Sequence, residues 1–102
     1  MRMLWAAALL CLAASAAGAD TGRDLIKLCG HSASLCGSDF QSREVVAGLR
    51  GNHCLPTDAG PAEEAMVAWL GQHPKTARQD VTRAVKAAAT ALWPCNGRAP
   101  GQ

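Results

Sequence analysis

The 102 residues carry ten basic and eight acidic side chains, a formal net charge of +2, and are 49% hydrophobic but only 4% aromatic, with no tyrosine. So even a balance excludes a polybasic chain that holds nucleic acid or an anionic membrane by charge alone. The length allows one small core, which buries only about 60% of the surface exposed by the unfolded chain and gains from covalent staples.

Met1-Arg2-Met3 precedes an apolar run over residues 4–14, and Ser15-Ala16-Ala17-Gly18-Ala19 follows it. This is the charged, apolar, small-residue order of a cleavable secretory signal peptide. The run is too short for a hydrocarbon core that needs about 20 residues, and no later segment stays apolar for longer. Ala17-Gly18-Ala19 offers small side chains where a signal peptidase reads them, so a signal peptide over 1–19 and cleavage between Ala19 and Asp20 are expected. Cys11 lies behind Leu10 inside the apolar run, where lipidation needs a small residue before the cysteine. Cys29, Cys36, Cys54 and Cys95 remain, and an even number in a small exported domain reads as two disulfides.

Helix starts recur as a hydroxyl residue followed three positions later by an acid or amide: Thr21 with Asp24, Ser38 with Gln41, and Thr76 with Gln79. Pro61 marks a fourth, with Glu63 and Glu64 in the first turn. The first helix is predicted over residues 22–29, with Leu25, Leu28 and Cys29 on one face. The second spans 39–49, carrying Phe40, Val45, Val46 and Leu49 inward. The third spans 61–72, with Ala62, Ala65, Met66, Trp69 and Leu70 at helical spacing. The fourth, over 76–92, repeats Ala77, Val81, Ala84, Val85, Ala88, Ala91 and Leu92. No segment alternates long enough to predict a strand. The expected fold is all-α: a small four-helix domain over residues 20–95, built of two helical hairpins and stapled by two disulfides, between a signal peptide and a flexible tail over 96–102.

The tight turn at His73-Pro74-Lys75 predicts that the third and fourth helices run antiparallel, which brings Cys54 and Cys95 to the same end. Cys29 closes the first helix and Cys36 precedes the second, so a Cys29–Cys36 bridge would pin the first hairpin. Loop-closure entropy gives about 2.5 kcal/mol for the smaller ring and about 4 kcal/mol for the larger. Four cysteines allow three pairings; helix geometry favours this one without excluding the others.

Cys29, His31, Cys36, His53 and Cys54 have donor chemistry that zinc accepts, yet their spacing lacks the paired short intervals of zinc modules. Ser32 and Ser34 lie near His31, but no Gly-x-Ser-x-Gly or Cys-x-x-Cys accompanies them. No catalytic residue, metal ligand or cofactor is expected, and the chain reads as a non-enzyme. Trp69 is predicted to be core. Arg50-Gly51-Asn52-His53, anchored by Cys54, and Trp93 at a helix end are the candidate partner-binding residues, because a stapled loop loses little entropy on docking. Arg78, Arg83 and Lys86 read as a solvated face.

From Cys54-Leu55-Pro56, through Trp69-Leu70 and His73-Pro74, to the alanine-rich helix ending in Leu92-Trp93-Pro94-Cys95, the chain resembles the Tai/Rap family of immunity proteins. Cys29 and Cys36 match two further cysteines of that family, while Gly37-Ser38-Asp39-Phe40 has no tyrosine where relatives carry Gly-Tyr. The resemblance covers about half of the chain that follows the signal peptide. It implies a periplasmic all-α domain, able to form a homodimer, that binds a peptidoglycan amidase effector of the type VI secretion system and blocks its cysteine-histidine active site. The alternative expectation is a small periplasmic acid-stress chaperone or accessory protein, which exposes apolar surface when carboxylates protonate.

Overall fold

The computed structural model describes residues 18–52 and 54–95. The expected signal segment up to Ala17, the loop residue His53 and the tail from Asn96 lie outside the described residues. Six helices and no strand are present among those described.

Thr21 opens α1 (Gly22–His31). Its hydroxyl accepts from the Asp24 amide at 3.1 Å while the Asp24 carboxylate accepts from the Thr21 amide at 3.2 Å. This reciprocal capping box satisfies two donors that a helix start leaves free. Leu25 is thereby set facing the core, where it is fully buried.

In place of one helix over 39–49 there are two, α2 (Ala33–Phe40) and α3 (Arg43–Leu49). Ser38 falls inside α2 and caps nothing. Ser32 and Ser42 do the capping: the Ser32 hydroxyl accepts from the Leu35 amide at 3.1 Å and the Ser42 hydroxyl from the Val45 amide at 3.3 Å. The break at Gln41 changes the helical register, so Phe40 and Val45 both turn inward while Val46, expected beside them, is 40% exposed.

α4 (Ala59–Gly71) starts two residues before the expected Pro61. Pro61 still lies in the first turn, where its missing N–H breaks no helical bond. Ala62, Met66 and Leu70 are buried, but Trp69 is only half-buried, packing on the core from one side. Its ring stacks on His73, with centroids 3.7 Å apart.

The expected helix over 76–92 is interrupted. A short α5 (Pro74–Ala77) precedes α6 (Val81–Leu92), and Asp80, not Thr76, caps the latter by accepting from the Arg83 amide at 3.0 Å. The chain entering α1 holds this break open. The Val81 amide donates to the Asp20 carbonyl at 2.8 Å, the Gly22 amide donates to the Gln79 carbonyl at 3.1 Å, and Thr21 bridges to Asp80.

Consequently no simple hairpin joins α4 to a long final helix. α6 makes its most extensive contact with α3. Gly48 permits it: a β-carbon there would collide with the Val85 side chain and the Thr82 carbonyl. The Thr82 hydroxyl then donates to the Glu44 carbonyl at 2.8 Å. Ala84, Val85, Ala88 and Ala89 of α6 join Leu25, Phe40, Val45, Met66 and Leu70 in one apolar cluster.

Two disulfides staple this arrangement. Cys29–Cys36 spans the α1–α2 corner with a Cα separation of 4.4 Å, and Cys54–Cys95 joins the loop after α3 to the end of α6 with 5.5 Å. No helix among the described residues is long and apolar enough to cross a membrane.

Candidate functional site

The loop after α3 is shaped by three local features. The Arg50 amide donates to the Val46 carbonyl at 3.0 Å, Gly51 takes a left-handed conformation at φ +92°, and the Asn52 amide donates to the Leu49 carbonyl at 3.2 Å. Only glycine occupies such a φ without steric cost. The Asn52 side chain then closes the turn in both directions, donating from Nδ2 to the Ala89 carbonyl at 3.2 Å and accepting through Oδ1 from the Cys54 amide at 3.1 Å.

This loop and the end of α6 enclose a cleft of about 320 Å³. Arg50, Asn52 and Trp93 line it together, beside Lys86, Thr90 and Cys95. Three of the four residues singled out from the sequence therefore meet in one place; the fourth, His53, is outside the described residues. Asn52 takes a different part from the one expected, since its amide is spent on fixing the loop. Lys86 and Thr90 escape a sequence reading because they lie on the exposed side of an alanine-rich helix, where a solvated face is the ordinary interpretation.

Among the described residues, the charged side chains lining the cleft, Arg50 and Lys86, are basic, and no acid lines it. Trp93 is half-buried and packs on the core from the cleft side. The guanidinium and the indole are residue types enriched at protein interfaces, and the Lys86 ammonium adds a second positive charge beside them. Cys29, Cys36 and Cys54, the three cysteines among the considered metal ligands, are committed to sulfur–sulfur bonds, so none of them supplies a thiolate.

A second, larger groove of about 720 Å³ lies between the α1–α2 corner and α4. Ile26, Ala33, Pro61, Val67 and the Cys29–Cys36 bridge form its mainly apolar floor, and Glu63 and Glu64 also line it. The two surfaces thus differ in character, one basic and one apolar with acids beside it. Compared with known proteins, the chain matches no family model, no curated protein and no solved structure.

Proposed function

We propose that this chain is an exported periplasmic immunity protein, resembling the Tai/Rap family, that binds a peptidoglycan amidase effector of the type VI secretion system and blocks its cysteine-histidine active site. The observation that carries this reading is the cleft beside Cys54–Cys95. The bracket of cysteines on which the resemblance rests borders the same cleft that Arg50, Trp93 and, through the packing of α6 on α3, Lys86 line.

An inhibitor of this kind acts by affinity, and affinity depends on anchors that are already in place. Fixing the loop by a disulfide and by the Asn52 hydrogen bonds lowers the ordering cost on docking. Trp and Arg are the residues that most often dominate interface energetics. Two disulfides in so small a domain suit an oxidising compartment, which supports export and the signal peptide reading. Self-association belongs to the same proposal, and light scattering of the purified protein reads it directly.

The test is whether the neighbouring reading frame encodes a small amidase with catalytic cysteine and histidine, and whether the two proteins co-purify. A stable complex with loss of amidase activity supports the reading. An amidase that neither binds nor loses activity rejects it.

A further inference from the structure

Asp39, near the end of α2, is 7% exposed, and among the described residues its Oδ2 has no hydrogen-bond partner. Its Oδ1 accepts one bond, from the Ala19 amide at 3.3 Å. A buried carboxylate with a single neutral donor is costly, and it calls for a positive partner.

The geometry around Ala19 indicates where that partner comes from. Ala19 packs against the core, and the chain beyond it is clamped by the Asp20 carbonyl to Val81 and by the Gly22 amide to Gln79. Gly18 passes so near that a β-carbon on it would lie 2.5 Å from Asp39 Oδ1. Among the described residues the adjoining cleft is lined by Asp20, Glu44 and Asp80 and by no basic residue; Arg83 reaches Asp80 from outside at 3.7 Å.

We infer that Asp39 is the docking carboxylate for the α-ammonium of the processed chain, released by signal cleavage before Ala19, at Ala17–Gly18 or Gly18–Ala19. Hydrolysis of either peptide bond turns a backbone nitrogen beside Asp39 into an ammonium, leaving the other product as the carboxylate of the departing signal peptide. An ammonium carries three protons and a full charge, enough to serve both carboxylate oxygens. Cleavage behind Ala19, the position expected from the sequence alone, would instead remove the Oδ1 donor and strip a packed residue from the core. Both earlier sites present small residues to the peptidase, Ser15 with Ala17 or Ala16 with Gly18.

This inference rests on the export part of the proposed function and is independent of the amidase. The test is to express the full chain in a bacterium with a periplasm, recover the periplasmic protein and measure its intact mass. A chain beginning at Gly18 or Ala19 is expected. A chain beginning at Asp20 overturns the inference while leaving export standing; an uncleaved chain retained in the cytoplasm overturns both.

Selective acetylation of the α-amine then reads the contact itself. The thermal midpoint of the natural chain should fall by about 4–8 °C, as for loss of one good interaction in a domain of this size, and that of Asp39→Asn should not move. An equal fall in both proteins, or none in either, overturns the pairing.

Discussion

The Asn52 side chain donates to the Ala89 carbonyl at 3.2 Å and so ties the cleft loop to α6. Ala89 also receives the Trp93 amide at 2.9 Å, so one carbonyl of α6 positions both the loop and the indole that face each other across the cleft. Replacing Asn52 by Ala leaves the amide of the buried Cys54 without its acceptor. A loss of about 1–3 kcal/mol in unfolding free energy is expected, measured by urea titration of the oxidised protein. A neutral substitution would mean that the disulfide alone holds the loop.

Arg50 and Lys86 are exposed and line the same cleft without an acidic neighbour among its lining residues. Arg50→Ala and Lys86→Ala should each leave stability within about 0.5 kcal/mol of the natural protein while weakening the amidase complex. Calorimetric titration of each variant separates the two effects. Unchanged affinity in both would move the docking surface away from this cleft.

The two staples close rings of different size, with sequence separations of 7 and 41. Removing Cys54 and Cys95 together as alanines should cost about 4 kcal/mol, and removing Cys29 and Cys36 about 2.5 kcal/mol. Denaturant unfolding of both double variants checks the order. The reverse order would place most of the stabilisation in the native α1–α2 corner and not in the restricted unfolded chain.

Gly48 and Gly37 make a contrasting pair. Gly48 is buried where α3 meets α6 and has no room for a β-carbon, whereas Gly37, inside α2, has nothing within 4 Å. Gly48→Ala should force the helices apart and cost about 1–3 kcal/mol. Gly37→Ala should stabilise by about 0.4–1 kcal/mol through the unfolded chain. Thermal scans of the two variants decide it.

Much of the fold was legible, and part of what was not depends on long-range contacts. The Thr21–Asp24 box works because both of its bonds are local, and the cysteine pairing follows from where the helices end. Ser38 and Thr76 carry the same signature but lose to Ser32, Ser42 and Asp80. At Asp80 the deciding interaction is long-range: the segment of Asp20 to Gly22 pairs with the break before α6, which local spacing does not encode. For the cleft, Arg50 is legible from the loop anchored by Cys54, and Trp93 from its place at a helix end before Pro94. Lys86, by contrast, enters only because α6 packs on α3, and Asp39, at the start of the helix expected over 39–49, is buried near the end of α2 instead.

The cap makes that point testable. Asp80→Ala should cost about 1 kcal/mol, the usual worth of a helix cap, and Thr76→Ala much less, as read by thermal unfolding. A larger loss at Thr76 would restore one continuous helix from residue 76.

The proposed function meets its most direct test in a single binding measurement. The purified, disulfide-bonded protein is titrated into a cysteine-histidine peptidoglycan amidase encoded by a neighbouring reading frame, where one exists, while hydrolysis of peptidoglycan is followed. Stoichiometric inhibition is expected, relieved by a combined Arg50→Ala and Trp93→Ala variant that remains folded. Undiminished hydrolysis at saturating protein would contradict the immunity reading.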